Sequence, residues 1–429
     1  MAIGSVSTAN FAAAMKQIYP QKRVELIFYK NHPFMAKVSK REDFYGYNQV
    51  ANVDNTMAIA VSSSPPSGGR SATFANAQAN ISSGLDERFA ISRKSDYQLW
   101  ELQNEVIEAS SRDIGAIMKV LKFKGDGALM NLSRNLSGNL YGNGGGARGE
   151  IATISVGGLI TLANPSDIVH FENEMTLNAA DWDGTGAAGA IRAGVDSISA
   201  IDRAAGTIQL LGGAVPGGWT AGPPGDFLFQ SGDILAAGGD VITGLAGWLP
   251  TAAPVLGGPA FFGLDRGVDP TRLAGSRFNG LGLPIEEALK RISTLIVRNG
   301  GRPDMVFLNP LDYERLELSL EGRARFETMT TQVGGKRSAQ VGFDSMIITT
   351  TAGKANVVAD VDCPQGTGYM LQMDTWEMHH LKGLPHMITR GAGQGGGRMG
   401  VTTDTVEFRA VYRGNLACIA PGYNGVVTL

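Results

Sequence analysis

The sequence predicts an α+β fold spread over several domains, and three observations predict it. Two segments, 95–125 and 284–297, carry apolar residues at helical spacing. Region 151–247 breaks into short apolar runs separated by Gly, Asn, Asp and Pro, the pattern of a small β-barrel or sandwich. An apolar strand, Met305–Leu308, passes straight into a helix through Asn309 and Pro310. At 429 residues the chain is too long for one core, and two or three domains are expected.

Composition narrows the class. Fifty-eight glycines imply many turns and close backbone contacts, and 43% hydrophobic residues suffice for packed cores. A net charge of −3 argues against a dedicated, strongly basic nucleic-acid binder. Cys363 and Cys418 are the only cysteines, far apart, so no disulfide framework is expected and a reducing compartment is the simpler setting. The first residues lack a secretory signal, and no apolar run approaches the roughly 20 residues that span a bilayer. A soluble protein made in the cytoplasm is expected.

Residues 1–45 read as an extended arm with short helical pieces. Asn10 caps an apolar turn (Phe11, Met15, Ile18) that Pro20 stops. The arm holds Lys16, Lys22, Arg23, Lys30, Lys37, Lys40 and Arg41 against one acid, Glu25, a local +6 within a chain of −3. Such an arm is either a solvated surface or one that faces an anionic partner. From 46 to 93 runs a long excursion, in which Pro65-Pro66 and Gly68-Gly69 mark a turn between two extended arms. It has too little apolar surface to stand alone and should pack on a neighbour.

Ser95 with Gln98 forms a capping-box pattern. Leu99, Leu102, Val106, Ile107, Ile114, Ile117, Met118 and Leu121 then recur at helical spacing until Gly125. That predicts a helix of about 29 residues, roughly 40 Å long. A second short helix is expected on Leu129, Leu132, Leu136 and Leu140, before the glycine-rich 142–150 stretch. In the β-rich region, SISAIDRAAGTIQL reads as a hairpin turning at Asp202–Gly206. Pro284 opens another helix, with Ile285, Ala288, Leu289, Ile292, Leu295 and Ile296 on one face. After the joint, whose helix carries Leu311, Leu316, Leu318 and Leu320 as its apolar face, come two strands, SMIITTTAG and ANVVADV. GYMLQMDTWEMHHL reads as one further strand, 387–400 as a glycine-rich loop, and TVEFRAVYRGNLACIAP as a long closing strand.

Chemistry finds no foothold. His379, His380 and His386 with Glu377 or Asp374 come nearest to a metal cluster. Adjacent residues of a strand point to opposite faces, so a surface or interface pair of histidines is expected instead, with no metal. Gly391-x-Gly393-x-x-Gly396 lacks the strand–helix setting of a dinucleotide fingerprint, and Gly334–Ser338 lacks the order of a phosphate loop. No nucleophile elbow, zinc pattern or singled-out carboxylate pair is present. Neither a cofactor nor an enzymatic activity is expected.

The joint VFLNPLDYERL resembles the strand–Asn-Pro–helix segment of major capsid proteins of tailed bacteriophages, the Hong Kong 97-type capsid fold. GLPIEEALKRISTLIV (282–297) resembles the helix before that joint, and VEFRAVYRGNLACIAPGYNGVVTL (406–429) the family's closing strand. SATFANAQAN (71–80) and RFAISRKSDY (88–97) resemble the returning half of its extended loop. The resemblance implies an N-terminal arm (1–45), an extended loop (46–94), a peripheral domain with its spine helix (95–150), a β-rich insertion domain (151–247), an axial domain (248–378) and a closing part of the peripheral domain (379–429).

It further implies self-assembly into pentamers and hexamers of an icosahedral shell around double-stranded DNA, put together in the host cytoplasm. Shell expansion would occur by subunit rotation. Arg70, Phe74, Glu87, Arg88 and Arg409 are candidate subunit-interface residues, and the seven basic residues of the arm are candidates to face DNA. A separate scaffolding protein and a portal are the implied partners, with decoration proteins as further candidates and no membrane. Because the arm begins near Met1, no cleaved scaffolding segment is expected there. Some members cross-link the loop through a Lys–Asn bond, but no Lys lies between Arg41 and Arg93, so no such bond is expected. Two rivals stand beside this reading: an encapsulin-like nanocompartment shell enclosing enzymes, and a β-rich metal- or carbohydrate-active enzyme.

Overall fold

The computed structural model describes residues 32–43, 56–64, 70–81, 85–103, 114–186, 189–235, 238–321, 330–333, 336–339, 346–351, 353–382, 385–387, 398–399 and 404–429. The chain divides into two compact units. The first takes Met1–Ile59, Phe89–Gly244 and Glu377–Ala417, and the second takes Ala60–Arg88, Leu245–Trp376 and Cys418–Leu429. The Asn10 cap, Lys16, Lys22, Arg23, Lys30, the Pro65–Gly69 turn and most of the 387–400 loop lie outside the described residues.

Pro33 opens a short helix, Pro33–Lys37, that buries Phe34 and Met35, and strand β1 (Ser39–Arg41) follows it. Strands β2 (Thr56–Ser64) and β3 (Leu85–Ser92) pair as a two-stranded ribbon where two extended arms are expected. The chain between them is not extended throughout, because Phe74–Ala79 forms a short helix.

The helix expected to open at Ser95 is corrected by the structure. Lys94–Gln103 is a strand, β4, antiparallel to Thr405–Gly414, with Lys94 opposite Gly414 and Gln103 opposite Thr405. Leu99 and Leu102, neighbours on a helix, fall on opposite faces: Leu102 is buried and Leu99 is exposed. Trp100 stacks on Phe408 at 5.8 Å, a cross-strand pair that a helix could not make. Pairing along ten residues overrides the local helical pattern.

The long helix starts later and runs further, Ile114–Tyr141. Gly125 does not end it, and the second short helix is its C-terminal half. The helix carries Gly115, Gly125, Gly127 and Gly138, and a glycine in a helix interior costs about 1 kcal/mol relative to Ala. Leu129, Leu132, Leu136 and Leu140 are all buried on one stripe, at about 1.5–3 kcal/mol each. The stripe wins, and the helix continues through the glycines.

Next comes a closed barrel, built from β5 (Gly149–Ser155), β6 (Leu159–Leu162), β7 (Thr176–Ala180), β8 (Asp196–Asp202), β9 (Thr207–Leu210) and β10 (Phe227–Gln230). Its strand order is β10-β5-β6-β9-β8-β7. Ile151, Ile160, Leu162, Leu177, Ile198, Ile208, Leu210 and Leu228 fill the interior, with Ile168 and Phe171 packed among them. The expected hairpin is present as β8–β9. Asp202 accepts from the amides of Ala204 and Ala205, and Gly206 adopts φ 65°, where a Cβ would stand 2.7 Å from Pro165. Only glycine closes that turn. Strands β11 (Ile234–Leu235) and β12 (Gly238–Gly239) form a small pair after it.

The second unit centres on a six-stranded sheet. Its members are β13 (Ser276–Asn279), β14 (Met305–Leu308), β17 (Met346–Thr350), β18 (Gly353–Ala359), β19 (Thr367–Leu371) and β24 (Gly425–Thr428), in the order β13-β24-β19-β14-β18-β17. A separate ribbon pairs β15 (Thr330–Val333) with β16 (Lys336–Ala339). The helix Ile285–Arg298 lays Ile285, Ala288, Leu289, Ile292 and Ile296 on the sheet, against Val306, Leu308, Met370 and Val427. Its wet face carries Glu286–Lys290 and Glu287–Arg291 pairs one turn apart.

The joint is built as the sequence predicts. Asn309 accepts from the Leu311 amide at 3.0 Å, and its Nδ2 donates to the Cys363 carbonyl at 2.8 Å. The helix Pro310–Glu321 follows. Its core face is narrower than expected, because Leu311 and Leu318 are exposed, while Leu316 is buried and Tyr313 and Leu320 pack beside it.

GYMLQMDTWEMHHL is two strands, which corrects the single-strand reading. β19 ends at Leu371, a 3-10 turn spans Met373–Thr375, and β20 (Trp376–His380) joins another sheet. Asp304 holds the turn by accepting from the Met373 amide at 2.9 Å. β20 lies between β1, in parallel, and the long β23 (Thr405–Cys418), to which β4, β21 (His386–Met387) and β22 (Arg398–Met399) also pair. On β23, Phe408, Ala410 and Tyr412 are buried, Val406 is only half-buried, and Val411 on the opposite face is buried as well, so the strand is covered on both faces from Ala410 onward except at Arg413. No described helix is long and apolar enough to cross a membrane.

Candidate functional site

The described part of the basic arm is β1 with its preceding helix. Lys37 and Lys40 are exposed. Arg41 is committed elsewhere: its guanidinium meets Glu377 at 2.6 Å, a carboxylate that is nearly buried on β20. The next residue but one, Asp43, reaches His379 Nδ1 at 2.7 Å, and His379 Nε2 lies 3.3 Å from Glu377. The parallel register sets this up, with Ser39 opposite Glu377 and Arg41 opposite His379. The network fixes the arm's root to the sheet.

Of the expected surface or interface pair of histidines, the surface placement is corrected. His379 and His380 are 4% and 6% exposed on β20, which lies inside its sheet between β1 and β23. Burial pushes the His380 imidazole below its ordinary value. Among the described residues no three His, Cys, Asp or Glu side chains converge as metal ligands.

The candidate interface residues separate by unit. In the second unit Arg70 and Arg88 are exposed, and Phe74, at the start of the short helix in the loop, is 82% exposed with Ile81 at 71%. The short helix Phe74–Ala79 buries none of its residues, and Ile81 follows just beyond its end. The Glu87 side chain lies outside the described residues. Arg409, in the first unit, pairs with Glu407 of its own strand.

One polar centre in the first unit has no counterpart in the sequence reading. The Arg148 guanidinium donates to Asn135 Oδ1 at 3.2 Å, the His170 carbonyl at 3.3 Å and Gln230 Oε1 at 2.8 Å, and pairs with Asp233 at 3.2 Å. It thereby ties the long helix to two sides of the barrel. Burial together with the Asp233 charge pushes Asp96 up to about 6, and burial raises Asp233 as well. Beside Arg148 a polar cleft is lined by Asn131, Asn135, Asn139 and Asn143. It leaves about 40 Å³ for its occupants, space for a few waters and far too little for a nucleotide. The sequence does hold a signal for this face: asparagine recurs every fourth residue in NLSRNLSGNLYGN (131–143), which puts those side chains on one side of a helix.

No protein-family model matches the chain, and no curated protein matches it. Among solved structures, the chain is similar to one in the capsid asymmetric unit of Cyanophage A-1(L), with 11% identity and a TM-score of 0.48, covering 93% of this chain and 92% of that one. It is similar to one in the capsid of a native GTA particle, with 9% identity, a TM-score of 0.43 and coverage of 92% and 89%. It is also similar to the SrpI encapsulin of Synechococcus elongatus PCC 7942, with 7% identity, a TM-score of 0.38 and coverage of 96% and 88%.

Proposed function

We propose that the chain is the major capsid protein of a tailed phage or a related prophage element, with a structural and not an enzymatic role. One observation carries the reading. Three segments that resemble capsid proteins, 282–297, 306–316 and the end of 406–429, fold onto one core, although the last lies far beyond the other two in sequence. They supply the helix Ile285–Arg298, the β14–Asn309–helix joint and β24 of a single sheet.

In this reading the helix Ile114–Tyr141 is the spine, the ribbon β2–β3 with its short helix is the extended loop, and the barrel is an insertion. Subunits join as pentamers and hexamers, and the loop's Phe74 and Ile81 lie against a neighbour. Large apolar and polar interfaces supply the strength of the shell, as in obligate assemblies. Lys37 and Lys40 belong to an arm that faces packaged DNA, while Arg41 is neutralised by Glu377. A separate scaffolding protein and a portal complete the assembly, which forms in the host cytoplasm.

The test is electron microscopy of the protein, expressed alone and with its neighbouring genes. Closed shells or regular capsomers are expected, with DNA inside those made in the full context. Shells filled with enzyme instead would favour the nanocompartment. A uniformly monomeric protein in both preparations would overturn the proposal.

A further inference from the structure

Where the chain enters the second unit, two arginines hold it. Leu245–Trp248 forms a single helical turn, and a loop then leads to the helix Pro270–Ala274 and β13. Arg266 Nη1 donates to the Gly247 carbonyl at 2.7 Å and to the Trp248 carbonyl at 3.3 Å. Arg277 donates from Nε to the Pro250 carbonyl at 2.8 Å. Its Nη2 reaches the carbonyls of Pro270 at 3.2 Å and Ala274 at 2.9 Å. Residues two apart in a chain lie at most about 7 Å from each other, so arginines bound at Trp248 and Pro250 are close neighbours.

These carbonyls carry no net charge, and no carboxylate completes the balance. The acids of the loop are committed elsewhere. Asp265 accepts from the amides of Gly257 and Gly267, each at 2.8 Å. Asp269 accepts from the Arg272 amide at 3.0 Å and pairs with the Arg272 side chain at 3.6 Å. Among the described residues no acid pairs with Arg266 or Arg277. Burial and the charge of Arg277 hold the Arg266 guanidinium down at about 10, still charged at neutral pH, and burial lowers Arg277 as well. Two like charges partly withdrawn from water, with no counter-charge, carry a cost that a bound anion would remove.

Donors remain to receive one. A guanidinium carries more N–H groups than these bonds use: Nε and Nη2 of Arg266 are uncommitted, as is Nη1 of Arg277. Both side chains are half-buried, and none of these nitrogens is sealed from solvent. Phe261 lies against the flat face of Arg266, with the guanidinium carbon 3.7 Å from the ring centre, and Trp248 braces Phe261 edge-on at 5.1 Å. Stacking covers the face of the guanidinium and leaves its in-plane N–H groups pointing outward in a fixed orientation.

We propose that Arg266 and Arg277 form a binding site for a small oxyanion of the phosphate class, clasped between the two guanidiniums. Arginine forks match the oxygens of such an ion with charge-assisted bonds, two to a fork. The bound ion cancels the repulsion between the arginines and fastens the loop to β13. The site stands independently of the capsid reading, since it needs only one copy of the chain.

The test is the melting temperature of the full-length chain, titrated with inorganic phosphate against potassium chloride at matched ionic strength and pH. A saturable rise is expected from phosphate alone. Arg266→Lys and, separately, Arg277→Lys keep the charge and lose the fork, so each should raise the half-saturating phosphate concentration roughly tenfold. A second measurement needs no variant. A dicarbonyl reagent modifies accessible guanidiniums, and phosphate should protect Arg266 and Arg277 from it, read by peptide mass spectrometry. A rise that never saturates would overturn the proposal. Unchanged affinity in both variants, or modification of the two arginines at the same rate with and without phosphate, would overturn it as well.

Discussion

Asn309 shows how much one side chain can hold. Its oxygen caps the helix at Leu311 and its nitrogen satisfies the Cys363 carbonyl, while the residue itself is only 7% exposed. Asn309→Ala removes both bonds and leaves the Cys363 carbonyl without that donor. A loss of about 1–3 kcal/mol is expected, read as a lower urea midpoint of the unassembled protein. Asp167 acts in the opposite sense. Half-buried at the barrel's helix-facing rim, it is pushed up to about 7 by desolvation, far above the ordinary carboxylate value. The folded state therefore binds the proton more tightly than the unfolded state. Stability falls as pH rises from about 4, where an unfolded Asp titrates, to about 7, where the folded one does. Asp167→Asn should raise the melting temperature at pH 8 and change little near pH 4. An unchanged melting temperature at pH 8 would show that the charge costs nothing there.

Elements differ in how plainly the sequence announces them. The helix Ile285–Arg298 and the joint were legible because every signal agreed: a proline at the start, one apolar stripe and a capping Asn. Ile292 sits at the centre of that stripe, fully buried. Ile292→Ala should cost about 2–5 kcal/mol, measurable in the same urea titration. The 95–141 region misled because two periods overlap. Leu99, Leu102 and Val106 fit a helix, yet Gln98, Trp100 and Leu102 also fall on one face of a strand, and only the partner β23 decides between them. No local pattern reveals a partner about three hundred residues away. The barrel was legible as a class from its short runs and turn residues. Its closure and the Arg148 centre were not, since Asn135, Arg148, Gln230 and Asp233 meet only once the chain has folded.

For the whole molecule, strength in the proposed shell comes from packing between subunits. With no Lys between Arg41 and Arg93, particles boiled in detergent under reducing conditions should run as a single band near 45.2 kDa. A ladder of higher species would reveal covalent links from elsewhere in the chain. Both cysteines are buried thiols whose ionisation is suppressed by desolvation, so reducing agent should leave shell stability unchanged. The candidate interface residues were the least legible part of the site. Exposure singles out Phe74 and Ile81, but no sequence pattern distinguishes an exposed residue awaiting a neighbour from one that faces water.

The position of β24 bears on the timing of synthesis. It lies inside its sheet, with β13 on one side and β19 on the other, although Gly425–Thr428 leaves the ribosome after every other strand of that sheet. Until then β13 and β19 have no partner between them, and Ile292 and Ile296 lack the backbone of Gly425 that they pack against. A nascent chain therefore cannot present a finished second unit to its neighbours. A translation-arrested chain stopped at residue 420 should be cleaved readily by protease throughout 276–371. In the proposed shell, a prematurely terminated polypeptide would lack this inner strand and so could not complete the sheet that its neighbours meet.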